Sequence, residues 1–272
     1  MAIGESSASK VALRNNVTSS GQGKPMMFAH GYGCDQTVWN GIVPAFADRR
    51  TILFDHVGSG RSDLSSFSRY KYRHLKGYVN DLIEICSALE LREVTLVGHS
   101  VSASIAALAT IERPDLFSSL VMVAPSPCYV SVDDYVGGFR KEDIESLLEL
   151  LDSNQFGWAS SMGPLIMGNP NCPELGQRLA NSFCSIDPEA ARHFARTTFY
   201  ANNLEDLPKI SVPTLIMQCA EDPIAPSSVG HYMHGVIAHS TLSLMKATGH
   251  CPHMSAPAET VSIIKNFLAG VA

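Results

Sequence analysis

Three residues far apart in a 272-residue chain could together perform acyl transfer: Ser100, Asp222 and His250. A serine hydroxyl is a weak nucleophile near neutral pH, so it needs a base to take its proton and a third group to orient that base. His250 would remove the proton during attack and return one to the leaving group. Asp222 would hold the imidazole tautomer and favour the transient imidazolium. Glu221, beside Asp222, is the rival acid, and His253 in "HCPH" is the rival base. The motif favours Asp222. A metal pair at "HCPH" is disfavoured because Pro252 opposes a helix there and no third ligand is evident. His253 therefore reads as a hydrogen-bonded structural side chain. His30 and His99 read as braces for turns, and Asp55 as a capping and turn-bonding carboxylate.

The tetrahedral oxyanion of such chemistry also needs donors. The backbone N–H of Val101, at a helix N-terminus, and that of Tyr32, in the loop after "FAHG", are placed to supply them.

These residues need elements to position them. Apolar, β-branched runs at 25–31, 50–60, 93–100, 118–125, 212–219 and 240–247 read as strands. Leu75, Val79, Leu82, Ile83, Cys86 and Leu89 form one helical stripe over 75–90, and small apolar residues make a helix of 101–114 that stops at Pro114. A further helix over 257–270 closes the chain. Strand and helix in alternation imply a mostly parallel sheet with helices on both faces, and near-continuous apolar strands suit the centre of such a sheet. Ligands bind beyond the carboxyl ends of parallel strands. Ser100, Asp222, His250, the "HGYG" loop (30–33) and the "DHVGSGRSD" loop (55–63) all fall there. The rhythm breaks between 131 and 205, where the sequence is helical in character. The economical organisation is one α/β core, 1–130 and 206–272, interrupted by a helical insertion at 131–205.

Composition excludes several classes. An apolar fraction of 45% against 17% charged residues fits a chain with a large core and argues against disorder. A net charge of −6 gives no reason to expect nucleic acid or an anionic membrane as partner. The first residues lack a signal-peptide core, and no apolar run approaches a membrane span. The seven cysteines are odd in number and never form C-x-x-C, so they read as free thiols and core filler in a reducing compartment, Cys34 beside the "HGYG" loop included. The expected location is the cytoplasm.

"GHSVS" (98–102) and "HGYG" (30–33) resemble the nucleophile elbow and oxyanion loop of the α/β-hydrolase fold. More narrowly, "GYGCDQTVWN" (31–40), "ILFDHVGSGRSD" (52–63), "MVAPSPCYV" (122–130), "GGF" (137–139) and "GHCPHMSAP" (249–257) resemble the branch of the bacterial stress-signalling hydrolase RsbQ and the plant karrikin and strigolactone receptors. The likeness spans roughly 15–270 and is closest to the bacterial members. One departure is Ser102, where the elbow pattern ends in glycine. The resemblance implies an inserted helical lid of four helices over an apolar pocket, lined by Tyr129, Phe139, Trp158, Met162, Phe183 and Phe199. It implies the Ser100, Asp222, His250 triad with Tyr32 and Val101 as the oxyanion hole, and no metal or organic cofactor. Two readings stand side by side. One is a serine hydrolase of small apolar esters or lactones such as butenolides. The other is a slow ligand sensor that signals to a protein partner through its lid. Carbon–carbon bond cleavage or acyl transfer at the same site is a third option, since the fold hosts many chemistries.

Overall fold

The apolar runs become seven strands in a computed structural model that describes residues 7–271: β1 (Thr18–Ser20), β2 (Pro25–Ala29), β3 (Arg50–Leu53), β4 (Val94–His99), β5 (Phe117–Val123), β6 (Thr214–Glu221) and β7 (Ser240–Thr248). Their order across the sheet is β1-β3-β2-β4-β5-β6-β7. β1 is antiparallel to β3, and every other pairing is parallel. Parallel neighbours cannot be joined by hairpins, so helices cross over between them and cover both faces.

Successive residues along each central strand divide between two cores, as a period of two requires. Met27, Leu96, Leu120, Met122 and Ile216 face one side. There they meet Leu82 and Ile85 of α2 (Leu75–Ala88), Ile105 and Ala109 of α3 (Val101–Glu112), and Met233 of α8 (Ser227–Val236). Met26, Phe28, Val97, Val121, Val123 and Met217 face the other side, against Trp39 and against Ile264 and Leu268 of α10 (Pro257–Val271). The second core continues upward into the helical insertion.

That insertion lies between β5 and β6 and consists of α4 (Lys141–Ser153), α5 (Gln155–Met167), α6 (Pro173–Ser185) and α7 (Pro188–Phe199). Local chemistry marks its boundaries. Pro173 and Pro188 begin α6 and α7, where a missing N–H costs nothing. The Asp187 carboxylate accepts from the N–H groups of Glu189 and Ala190, and the Asn154 side chain accepts from Gly157. Trp158, Leu179, Phe183 and Phe199 pack inward, joining the lid to the core over the strand ends.

Some elements carry too little pattern to be read in the sequence. β1 consists of three exposed polar residues. α8 contains two glycines and buries Val229, Gly230 and Met233. α1 (Ser7–Arg14) precedes the first strand, and α9 (Pro252–Ser255) is a single turn. The cysteines are free, but they are not all core filler, since Cys172 is exposed and Cys184 half-buried. No helix among the described residues is long and apolar enough to cross a membrane.

Candidate active site

β4 ends at His99 and α3 begins at Val101, so Ser100 must turn the chain alone. It does so at φ 56° and ψ −126°, a conformation that costs a non-glycine residue roughly 1–3 kcal/mol. The bend is tight enough that a Cβ on Gly98 would lie 2.3 Å from the Ser102 carbonyl oxygen. Val101 is the first residue of α3, so its N–H has no carbonyl one turn earlier to bond.

Ser102, in the place of the elbow's last glycine, holds three loops together. Its hydroxyl donates to the His30 carbonyl and accepts from His56 Nε2 at 2.8 Å. His30 in turn donates from Nδ1 to the Gly31 carbonyl at 2.9 Å and accepts the His56 backbone N–H on Nε2 at 3.1 Å. Burial lowers the pKa of both rings, of His56 well below the usual range, so both stay neutral. The loops after β2 and β3 are thereby tied to the elbow. Asp55 ties the same region from the other side, accepting from the N–H groups of Gln36 and Arg61. Ser102→Ala leaves the His30 carbonyl and the His56 ring N–H unpaired in a dry setting. It is expected to cost about 1–3 kcal/mol in urea unfolding, and an unchanged midpoint would contradict this bracing.

Ser100, Asp222 and His250 meet. Ser100 Oγ lies 2.7 Å from His250 Nε2, and His250 Nδ1 lies 2.8 Å from Asp222 Oδ2. The other carboxylate oxygen of Asp222 accepts from Ile224 and Ala225 N–H groups at 2.8 and 3.1 Å. The Asp222 side chain is fully buried and that of His250 is 5% exposed. With Nδ1–H donated to the carboxylate, Nε2 is left free to accept from the serine hydroxyl. Glu221 is exposed; it acts through its backbone, its carbonyl accepting the Gly249 N–H at 2.7 Å. His99 braces the same loop, donating from Nε2 to the His250 carbonyl at 2.8 Å.

His253 differs from expectation. It is buried and packs on Trp39 and His99 at ring distances of 4.4 and 4.5 Å, yet neither ring nitrogen has a hydrogen-bond partner among the described residues. Both neighbouring rings are tilted against it, and neither bonds its nitrogens.

The lid is bonded directly to the histidine loop. His250 N–H donates to the Ile166 carbonyl of α5 at 2.9 Å. Thr248 Oγ1 donates to Gly168 O at 3.2 Å, and Asn169 Nδ2 donates to Thr248 O at 3.1 Å. The approach is so close that a Cβ on Gly249 would sit 1.7 Å from the Met167 carbonyl oxygen.

Above Ser100 lies a narrow, mostly apolar cavity that opens to solvent on one side. Tyr129, Trp158, Phe183 and Phe199 line it. Phe139 and Met162 are not in its wall. Phe139 stands behind Phe199, with ring centroids 6.4 Å apart, and Met162 is half-buried against the core. Lining residues that the resemblance did not name are Ile166, Leu179, Thr198, Ile224, Cys34 and Cys251. Burial pushes the Cys34 thiol up to about 12, which leaves it an apolar wall rather than a nucleophile. Tyr32 contributes its side chain too, stacked on Phe183 at 5.9 Å. Tyr129 does more than line the wall, since its hydroxyl lies 3.2 Å from Ser100 Oγ. Burial raises its pKa, so the hydroxyl keeps its proton.

Residues 26–263 match the alpha/beta hydrolase family. The chain belongs to that family. Among curated relatives, it is 37% identical over 92% of its length to a probable esterase of Oryza sativa subsp. japonica, covering 94% of that protein. It is 34% identical to the karrikin insensitive 2 receptor IA of Petunia hybrida, over 94% of this chain and 93% of the relative. Among solved structures, olei00960, a hydrolase from Oleispira antarctica, superposes with a TM-score of 0.94 at 42% identity, covering 96% of this chain and 97% of the other. The α/β-hydrolase architecture and the likeness to karrikin receptors expected from the motifs are thus borne out, while the nearer likeness to the bacterial RsbQ-like members is not shown.

Proposed function

We propose that this α/β hydrolase cleaves small apolar carboxylic esters or lactones through an acyl-enzyme on Ser100. The observation that carries the proposal is the unbroken chain from Ser100 Oγ to His250 to the buried Asp222, at 2.7 and 2.8 Å. In the first half-reaction Oγ attacks the carbonyl carbon while its proton passes to His250 Nε2, and the imidazolium is held by Asp222. The oxyanion faces the N–H groups of Val101 and Tyr32, each such donor being worth ~2.7–4 kcal/mol in the transition state. Collapse breaks the C–O bond, and the alkoxide leaves with the proton from His250. A water molecule repeats the sequence against the acyl-enzyme and frees Ser100. Tyr129, donating toward Oγ, steadies the nucleophile. The apolar wall favours small hydrocarbon-rich ligands. The lid spanning 131–205 covers the site as a unit distinct from the 1–130 and 206–272 core. Free cysteines support a reducing, cytoplasmic setting.

The bonds between α5 and the His250 loop favour a second reading, a ligand sensor whose lid responds to the acylation state and signals to a protein partner. Relatives named as receptors fit that reading as well. A stopped-flow time course with p-nitrophenyl acetate at concentrations comparable to enzyme separates the two. Sustained multiple turnover is the expected result for the hydrolase. A burst of one equivalent followed by a stall would give the sensor reading precedence, and no p-nitrophenol release at all would sink both.

A further inference from the structure

α7 carries two successive threonines whose hydroxyls meet different fates. Thr197 Oγ1 has two carbonyl oxygens in reach of its one proton, His193 O one turn back at 3.0 Å and Tyr72 O at 3.1 Å, the former being the ordinary outlet for a helical threonine. Thr198 is 2% exposed, and its Oγ1 has no hydrogen-bond partner among the described residues. Thr198 also lines the cavity that contains Ser100. The cavity's other lining residues include Leu179, Phe183, Phe199 and Ile224, which have no side-chain acceptor, and Tyr32, Tyr129, Ser100 and His250, which are polar, but none of these bonds the Thr198 hydroxyl. A buried hydroxyl without a partner is costly and calls for a reason.

We propose that Thr198 is a specificity-determining residue whose hydroxyl hydrogen-bonds an oxygen of the ligand remote from the reacting carbonyl. An ether, carbonyl or hydroxyl oxygen on the acyl chain or lactone ring would satisfy it. A purely hydrocarbon chain would leave it unpaired, and sites built around a buried polar group discriminate against ligands lacking the matching atom. The inference rests on the proposed acyl chemistry only for which carbonyl lies at Ser100. It narrows the substrate class from apolar esters to esters or lactones with one further oxygen.

Two pairs of esters that differ by a single methylene-to-oxygen change test it: p-nitrophenyl butyrate with p-nitrophenyl methoxyacetate, and p-nitrophenyl valerate with p-nitrophenyl 3-methoxypropanoate. Within each pair the ratio of kcat/KM, ether over hydrocarbon, is compared between the wild type and Thr198→Val, so that intrinsic reactivity cancels. The ratio is expected to fall about five- to twentyfold for at least one pair in Thr198→Val, and to be restored by Thr198→Ser. Equal ratios for both pairs overturn the proposal. If no ester is hydrolysed, it is the hydrolase reading that has failed. The same ratios are then taken from Kd values by calorimetry in Ser100→Ala and Ser100→Ala/Thr198→Val, where an unchanged ratio again overturns the role of Thr198. Melting temperature supplies an independent check. Thr198→Val should melt no lower than wild type, and a fall of several degrees would mean that the hydroxyl is paired within the fold.

Discussion

Replacing Ser100 with alanine is expected to remove about 10⁴–10⁶ of the esterase rate while leaving the fold intact. The magnitude follows from the connectivity. Ser100 Oγ is the group at 2.7 Å from His250 Nε2, and without it neither imidazole nor carboxylate has a nucleophile to activate. What would survive is water attack assisted by the proposed oxyanion donors and the apolar cavity. Asp222→Asn should cost on the order of 10⁴, because an amide no longer selects the tautomer that leaves Nε2 free. The backbone at Ser100 provides a control. Its φ of 56° is strained for serine and easy for glycine. Ser100→Gly should therefore lose the same activity while unfolding at a higher denaturant concentration. Loss of activity together with gain of stability cannot come from misfolding. Retention of most esterase activity in either Ser100 variant would remove this serine from the mechanism.

Much of this arrangement was legible because the chemistry sits where strands end. Each of Ser100, Asp222 and His250 follows an apolar run, and a parallel sheet brings all such ends to one edge. The pocket wall was only partly legible. Trp158, Phe183 and Phe199 were named through the family resemblance, whereas Thr198, Leu179 and Ile166 depend on how four lid helices rotate against the core, which no local pattern encodes. Phe139 and Met162 have the right chemistry and sit outside the wall. Ser102 shows a different limit. As a substitution for glycine it reads only as a tolerated small residue, and its bonds to His30 and His56 appear once three distant loops are assembled. His253 shows a third: nothing in "HCPH" says that both ring nitrogens will be buried without partners.

Those buried imidazoles make the protein acid-labile, and the expected loss is large. Burial lowers the pKa of His30, with Asp55 opposing part of the shift. Burial, reinforced by His30, drives His56 well below its ordinary value. Burial does the same to His99, with His253 and His250 adding to it, and it holds His253 at about 3, aided by His250 and Arg178. A histidine in the unfolded chain protonates near 6.5. As pH falls below that value the unfolded state binds protons that the folded state refuses, so stability decreases toward acid. Above about 6.5 these groups contribute no slope. For His253 the window runs from about 6.5 down to about 3. At two pH units below the unfolded value it alone withdraws about 3 kcal/mol, against a total stability of roughly 5–15 kcal/mol for a folded domain. Urea unfolding at pH 7.5, 6.0, 5.0 and 4.5 should show a midpoint that is level at first and then falls steeply. His253→Phe keeps an aromatic ring against Trp39, removes two unpartnered nitrogens, and should both raise the midpoint and flatten its acid slope by one proton's worth. A midpoint constant from pH 7.5 to 4.5 would contradict neutral burial of these rings. An acid slope unaffected by His253→Phe would assign the effect to His30, His56 and His99, the rings that connect the oxyanion loop, the elbow and the histidine loop. In that case acid would loosen the candidate active site before it unfolded the sheet beneath it.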